Sequence, residues 1–456
     1  MTIASKRKGN QMKYCSRCLL PETAESLTFD EQGVCSVCRQ IEYKHGQIDW
    51  ADRGRALDEI LDRHRGKQQY DCIVPFSGGK DSTFTLWYLI KIKKLKALVV
   101  RFDHGFLRKI VQQNSLRTFR TLGVDTLHFT PNWQVVRKLM FESLRRRGDF
   151  CWHCHTGIFS YPMWVAIWQR IPLIIWGEPS AEYSSFYRYD EEEEVDERRF
   201  NAFVNLGINA EDMLGMLDNT ISDYPVTERD LLPYTYPPAE QLRGVRSILL
   251  GSYIPWDVKK QVELIKRELG WCGDQVEGVP PEYDYEKIEC FMQGVRDYIK
   301  YLKRGFGRTT HLVSIDIRNK RKTREESEQL VAEFDGRRPA ALDLFLNYLG
   351  LGEEEFLKLI EPHAVAPHVM PSCETCQRNR TNWVPNDFES WTRLVGDPAK
   401  DKKVSLGVED LFRTHNELTD GNGEAHFDVE PCEGRVFVDE SLIHKGYLKG
   451  RIVVYV

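Results

Sequence analysis

Apolar positions along the chain change period several times, and the changes outline its elements. Trp50 to Arg65 spaces its apolar residues as a helix does and carries polar caps. Tyr70 to Phe76 is a short continuous apolar run, the pattern of a buried strand. It ends in Ser77-Gly78-Gly79-Lys80-Asp81-Ser82, after which Thr83 to Ile92 returns to helical spacing. Leu95 to Phe102 predicts the next strand, and Leu107 to Leu122 a helix closed by Gly123. Thr126 to Thr130 follows as a strand, Gln134 to Arg147 and Ile158 to Gln169 as helices, and Pro172 to Trp176 as another strand. Strands alternating with helices at this spacing predict an α/β fold, a doubly wound parallel sheet covered on both faces.

Beyond Gly177 the alternation is interrupted. Tyr189 to Arg199 contains a run of glutamates and reads as a solvated loop or an exposed helix end. Ser247 to Tyr253 predicts a last strand and Trp256 to Leu269 its helix. Tyr285 to Ile360 is helical in pattern almost throughout, with Gly305-Phe306-Gly307 as a break. After Pro362 the composition shifts to proline, asparagine, aspartate and glycine, and Arg435 to Val456 alternates like strands. The expected divisions are an arm over 1–50, an α/β domain over 51–255, a helical region over 256–365 and a small β-rich appendage over 366–456.

Composition narrows the class. The chain has 456 residues, with 63 lysines and arginines against 68 acids, a formal charge of −5. At 41% hydrophobic and 29% charged it is neither a disordered tail nor a fibre. The acidic balance argues against nucleic acid as a partner, and the best basic run, Arg145-Arg146-Arg147, is a short helix end. No apolar run approaches the ~18 residues that span a bilayer. The longest, Phe159 to Gly177, is broken by Gln169, Arg170 and two prolines. Lys6 to Lys8 is not followed by a signal-peptide core, so no membrane and a cytoplasmic location are expected.

Eight of the twelve cysteines fall in four CxxC pairs, which in a reducing compartment point to metal or redox chemistry. Cys15, Cys18, Cys35 and Cys38 have the spacing of a zinc ribbon. Two thiolate knuckles close a tetrahedral site with no open position, so this Zn²⁺ is expected to be structural. Cys151-Trp-His-Cys154-His155 reads as half of a metal or iron–sulfur site, as the polar lining of a pocket, or as plain buried and exposed thiols. His363, His368, Cys373 and Cys376 could form a second, mixed zinc site or an unliganded linker.

The hexapeptide Ser77 to Ser82 carries the chemistry. It lies at the carboxyl end of the first predicted strand and opens a helix, where open α/β sheets bind ligands. Gly78 and Gly79 let the backbone approach an anion, and the helix amino terminus offers unpaired N–H groups. Ser77 and Ser82 add hydroxyls, Lys80 adds a point charge, and Asp81 orients the loop or recruits Mg²⁺. The Walker pattern G-x-x-x-x-G-K-[ST] is not met. SGGKDS instead resembles the PP-loop of the ATP pyrophosphatases, a HUP-like fold. That resemblance implies adenylation of a substrate oxygen, loss of pyrophosphate, and displacement of AMP by a nitrogen or sulfur nucleophile. It further implies adenine beside Val99 to Asp103, nucleotide contacts from Gly177 and Glu178, and pyrophosphate contact from Lys259, which otherwise reads as a plain helix lysine.

A narrower resemblance covers roughly residues 12 to 365. Met12 to Cys18, Phe29-Asp30, Gly33-Val34-Cys35, Ile48-Asp49-Trp50, Phe129 to Asn132, Cys151 to His155, Trp176 to Tyr183 and Arg304 to Thr310 resemble the N-acetyl sugar amidotransferase family of bacterial surface-sugar biosynthesis. It implies conversion of an acetamido group on a nucleotide-linked or acidic sugar to an acetamidino group, with ATP, Mg²⁺ and Zn²⁺. His153 and His155 would position the acetamido group or accept a proton from ammonia. Arg304 and Arg308 are candidates to bind the sugar's anionic part, or are helix-surface charges. Ammonia would come from a partner glutaminase and a channel subunit akin to histidine-biosynthesis proteins. The alternative is a PP-loop enzyme that thiolates tRNA through a CxxC metal or iron–sulfur site.

Overall fold

The computed structural model describes residues 12–184, 186–191, 194–217, 224–381, 384–385, 387–388 and 391, without the side chains of 202–203 and 376–378, and the strand backbones 403–408, 413–418, 424–438 and 441–455. The chain divides into two compact units, Met1–Pro385 and Asn386–Val456, so the boundary falls later than the expected 365/366.

The larger unit opens with a cysteine arm and helices α1 (Ser36–Gly46) and α2 (Trp50–His64). Five parallel strands follow: β1 (Cys72–Pro75), β2 (Ala97–Phe102), β3 (Asp125–Phe129), β4 (Leu173–Trp176) and β5 (Arg246–Leu249). Their order is β3-β2-β1-β4-β5, a doubly wound sheet whose order reverses between β1 and β4. Cys72 pairs with Ala97, Leu98 with Asp125, Ile73 with Ile174 and Leu173 with Arg246. The three middle strands are apolar because both faces are covered. Leu57, Leu86, Val99 and Ile265 fill one side, and Ile73, Leu139, Trp152 and Ile174 the other.

The covering helices are α3 (Lys80–Trp87), α4 (Lys109–Leu122), α5 (Trp133–Arg147) and α6 (Trp152–Gln169). Gly123 and Gly148, both left-handed, close α4 and α5. The expected start of α6 at Ile158 is corrected to Trp152, which puts Cys154 and His155 on its first turn. Packed between the sheet and its neighbours, α6 is apolar on nearly every side, so its amino end shows no amphipathic signal.

Short helices α7 (Glu197–Arg199), α8 (Ala210–Met216) and α9 (Glu228–Leu231) fill the interruption. Helix α10 (Val258–Leu269) then packs on α3. The predicted helical region contains α11 (Gln293–Arg304), α12 (Arg308–Arg318), α13 (Arg324–Phe334), α14 (Ala341–Leu349) and α15 (Glu353–Ile360), and a further helix, α16 (Cys373–Arg378), falls where the β-rich appendage was expected. Its beginning differs from expectation: Tyr285 to Cys290 is not helical, and Lys287 stands at φ 51°. The smaller unit is an antiparallel sheet of β6 (Lys403–Val408), β7 (Arg413–Leu418), β8 (Glu424–Val438) and β9 (Ser441–Tyr455), ordered β7-β6-β8-β9. No described helix is long and apolar enough to cross a membrane.

Candidate active site

The reversal between β1 and β4 opens a crevice at the carboxyl ends of the strands, and the Ser77–Ser82 loop lies in it. Ser82 holds the loop together: its hydroxyl accepts the N–H groups of Ser77 (3.3 Å) and Gly78 (3.2 Å) and donates to the Gly79 carbonyl (3.2 Å). Gly78 stands at φ 89°, and a β-carbon there would lie 2.6 Å from Val111 and 2.7 Å from the Ser115 hydroxyl. Left-handed backbone and close packing together require glycine. At Gly79 a β-carbon would overlap the Glu289 carboxylate, which accepts the Ser77 hydroxyl at 3.2 Å.

Lys80, the first residue of α3, is 5% exposed and lies 2.9 Å from both Asp81 and Glu286. These carboxylates, with Glu178 and Glu289 beyond, hold its ammonium well above its usual range despite burial. Burial, aided by the neighbouring Asp81, pushes the Glu178 carboxyl up to about 8. Gly177 packs its backbone against Asp81 and Thr85. A crevice with one ammonium and several carboxylates beside an amide-rich loop suits a polyphosphate carried with a divalent cation. Asp81, Glu178 and Glu286 are the residues that would hold Mg²⁺.

The crevice continues away from the loop. Glu286 also meets Arg308 (3.5 Å), and Arg308 grips Asp297 at 2.8 and 3.2 Å. His311, on the first turn of α12, meets the Tyr183 ring at 6.1 Å; burial and the nearby Lys300 and Arg308 hold it neutral. Further in, His155, Asp149, Lys287 and Arg296 face one another around Cys151, Cys154 and Cys290. Most of these groups keep some exposure, yet burial is the largest influence on the titration of Asp149, His155 and Arg296, as in a deep cleft. Glu286, Glu289, Lys287, Arg296, Asp297 and His311 are the residues that sequence reasoning missed. The one signal available was the density of charge in Glu286-Lys287-Ile288-Glu289-Cys290.

The structure sorts the remaining candidates. His155 lies in the cleft, where burial and Arg296 bring it down to about 3, a poor proton acceptor. His153 is 1% exposed, its ring lies edge-on to Phe106 at 6.4 Å, and both its ring nitrogens are buried without a hydrogen-bond partner among the described residues. Asp103, at the end of β2, accepts the Gly105 N–H at 2.8 Å and shapes a turn. Lys259 is directed to Asp316 (2.7 Å) and the Tyr283 ring. Arg304 binds Glu25 (2.9 Å) and the Thr23 carbonyl, so it clamps the amino-terminal arm.

The arm itself has the donor set to hold a metal ion. The sulfurs of Cys15, Cys18, Cys35 and Cys38 are buried and mutually within 4.8 Å, with Cys15–Cys38 at 3.9 Å and Cys18–Cys35 at 3.7 Å. Metal–thiolate bonds of about 2.3 Å in a tetrahedron place sulfurs about 3.8 Å apart, so the four residues fit such an ion. The N–H groups of Cys35 (3.2 Å) and Arg17 (3.4 Å) donate to Cys15 sulfur, giving the expected knuckle contacts. No second such cluster occurs among the described residues. His363 bonds the Arg145 carbonyl (3.2 Å), His368 the Leu302 carbonyl (3.1 Å), and Cys373 lies near Glu353 and Arg338. The side chain of Cys376 lies outside the described residues. A cavity of about 190 Å³ lined by Ala97, Gly123 and Asp125 sits at the opposite ends of the strands and plays no part in this site.

Comparison with known proteins bears on the carboxyl-terminal half of this cleft. Residues 282–392 match the family described as LPS biosynthesis protein WbpG-like, C-terminal domain. The uncharacterized protein MJ1599 of Methanocaldococcus jannaschii is 27% identical over 140 residues, which are 30% of this chain and 47% of that protein. The chain thus spans about half the length of that relative. Among solved structures, the U34-tRNA thiolase NcsA from Methanococcus maripaludis with its [4Fe-4S] cluster aligns over 70% of this chain and 88% of its own, at 14% identity and a TM-score of 0.28. The matched segment supplies Glu286, Lys287, Arg296 and Arg308 of this cleft, so the likeness to the WbpG-like LPS biosynthesis family lies on the side of the site that faces the SGGKDS loop through Glu286.

Proposed function

We propose that the chain is an ATP-dependent amidotransferase that turns the acetamido group of a sugar into an acetamidino group. The observation that carries this reading is the amide-lined SGGKDS loop at the sheet's switch point, with Lys80 fixed between Asp81 and Glu286. The acetamido carbonyl oxygen attacks the α-phosphorus of ATP, and the bond to the β-phosphate oxygen breaks with loss of pyrophosphate. Ammonia then adds to the carbon of the adenylated amide. The carbon–oxygen bond breaks, AMP departs with the former amide oxygen, and the nitrogen releases its extra protons to solvent. The loop N–H groups and Lys80 stabilise the charge on the departing pyrophosphate, which needs positioned donors more than a strong base. Mg²⁺ held by Asp81, Glu178 and Glu286 would neutralise phosphate charge, and Zn²⁺ in the four-cysteine arm would be structural. Ammonia would be supplied by a glutaminase partner and a channel subunit.

The test supplies ATP, Mg²⁺, ammonium and acetamido sugars carrying ¹⁸O in the acetyl carbonyl. The expected products are a sugar with NH in place of O and AMP bearing the label. Unlabelled AMP, or a sugar of unchanged mass with AMP accumulating, rejects the reaction.

One observation favours a second reading. Cys154 and Cys290 both act to raise the Cys151 thiol, and Cys290 that of Cys154, with burial the larger cause in each case. Three neighbouring sulfurs, one buried and two half-buried, are the softest donors in the cleft, although they are not gathered as closely as the four of the arm, and soft donors are what a metal cluster of a sulfur-transferring PP-loop enzyme would use. Anaerobic purification with iron and sulfide analysis separates the two. Bound iron together with tRNA-dependent AMP formation would select the second.

A further inference from the structure

Most cations in the cleft are matched. Lys80 has Asp81 and Glu286, Arg308 has Asp297 and Glu286, and Lys300 lies 3.8 Å from Glu25. Two are not. Among the described residues neither Arg296 nor Lys287 has a carboxylate within ion-pair distance, and no hydrogen bond of their side chains is present. The acids nearest Arg296 are already engaged: Asp149 accepts the Cys151 N–H at 2.8 Å, and Asp297 is gripped by Arg308. Both cations act on the same residue, His155, from outside its own helix.

Lys287 is set in place at a cost. It stands at φ 51° with an ordinary side chain, a conformation that persists only where surrounding contacts impose it. Before it the Glu286 N–H reaches the Tyr283 carbonyl (3.0 Å), and after it the Glu289 carbonyl accepts the Arg108 N–H (3.2 Å), Cys290 bridges to Leu107, and the Phe291 N–H reaches the Phe106 carbonyl (3.1 Å). Asp149 lies near Arg296, and Glu178 and Glu286 near Lys287, but no acid among the described residues makes a direct ion pair with either cation, so each keeps its hydrogen-bond donors for an arriving anion in a partly desolvated cleft.

We propose that Arg296 and Lys287 form a second anion subsite, apart from the SGGKDS loop, that holds the negatively charged group of the acceptor. The shared chemistry is a carboxylate or a phosphate, from an acidic acetamido sugar or from a nucleotide-linked one. This rests on the amidotransferase reading, because it assumes that the loop is already filled by ATP. With both subsites occupied, the acceptor's uncharged acetamido group is left between them, beside His155 and toward Lys80.

The test is equilibrium titration of the full chain, its loop saturated with a non-hydrolysable ATP analogue. The probes are N-acetylneuraminate, UDP-N-acetylglucosamine and neutral N-acetylglucosamine. At least one anionic sugar should bind more than about tenfold tighter than the neutral one. Arg296→Gln and Lys287→Gln should each weaken that anionic sugar by about tenfold or more, to near the neutral one, and Arg296→Lys should restore part of the difference. Affinity for the ATP analogue, measured on each variant, should stay within about twofold and verifies folding. Which anionic sugar wins tells carboxylate from phosphate. No preference for either anion, or equal loss for all three sugars, overturns the subsite. Loss of ATP-analogue binding in the variants overturns it too, since the cations would then belong to the nucleotide cradle. Tight anionic binding, with no AMP formed once ATP, Mg²⁺ and ammonium replace the analogue, would instead reject the amidotransferase reading and leave the subsite standing.

Discussion

Replacing Lys80 with methionine keeps most of the side-chain volume and removes the one ammonium among the carboxylates of the crevice. Asp81 and Glu286 each lie 2.9 Å from it, and the three side chains are 19%, 8% and 5% exposed for Asp81, Glu286 and Lys80. Stripping the cation from so enclosed a group costs about 3–5 kcal/mol at neutral pH. The cost depends on pH, and the sign follows from Glu286. In the wild type Lys80 leads the cations that hold Glu286 well below its ordinary range. Its stabilisation is therefore present above the unfolded carboxylate pKa and lost only in strong acid. In Lys80→Met the burial that raises Glu286 is opposed by Lys287 and Arg308 alone, so its folded pKa moves up from its wild-type position. The stability that Lys80 supplied through Glu286 is then missing above the unfolded carboxylate pKa, and the loss shrinks in acid, where the wild type gives it up too. The difference between the two proteins should be about 3–5 kcal/mol at pH 8 and smaller by at least about 1 kcal/mol at pH 3. Urea unfolding followed by tryptophan fluorescence at both pH values measures it. Glu286→Gln should cost at least about 1 kcal/mol less at pH 8 in Lys80→Met than in the wild type. Equal differences at pH 3 and pH 8, or an equal cost of Glu286→Gln in both backgrounds, would refute this account of the charge balance. AMP formation by Lys80→Met should fall by about a hundredfold or more.

Gly157 lies in α6 where a β-carbon would overlap the Phe102 ring, so Gly157→Ala should lose about 1–2 kcal/mol in a thermal melt even after its gain in helix propensity. Gly215 in α8 has open space there, and Gly215→Ala should be neutral or stabilising in the same melt. Glu178→Gln should match the wild type in stability below about pH 5 and exceed it by about 1–2 kcal/mol at pH 9. The wild-type carboxyl, raised to about 8, is neutral in the folded state at low pH and loses stability as pH climbs through that value. Cys35→Ser, or a strong chelator, should remove the bound metal from a preparation that otherwise carries one ion per arm, and should make residues 12–50 the first site of proteolysis.

The parallel sheet was legible because buried strands are uninterrupted apolar runs, and Tyr70 to Phe76, Leu95 to Phe102 and Pro172 to Trp176 each enclose the strand found. The loop after β1 was legible because close backbone approach requires glycine and polar residues in a fixed order. What escaped detection lies where tertiary packing overrides local preference. Glu286 to Cys290 consists of ordinary helix-compatible residues, yet it is held as an irregular strip over Gly79. Arg304 and Arg308 stand only a glycine-flanked break apart and looked equivalent. The turn at Gly305, with φ 76°, sends the first to the arm and the second into the cleft. Likewise Lys259 sits on the expected helix, but no pattern in sequence reveals that Asp316 is its partner.

The docking of the cysteine arm has a consequence for how the chain comes off the ribosome. Arg324 donates to the carbonyls of Cys15 and Cys18 at 2.9 Å, and the Leu19 N–H reaches the Ser314 hydroxyl at 3.2 Å. The partners are separated by 295 to 309 residues, so the arm emerges first and waits for nearly the whole larger unit. At roughly 5–20 residues per second that wait lasts about 15–60 s. A segment this short cannot stay folded for so long on apolar burial alone. Metal captured early would let the arm persist as a finished piece, ready to seat when α12 and α13 appear, and metal starvation during synthesis would act on assembly before it acts on catalysis.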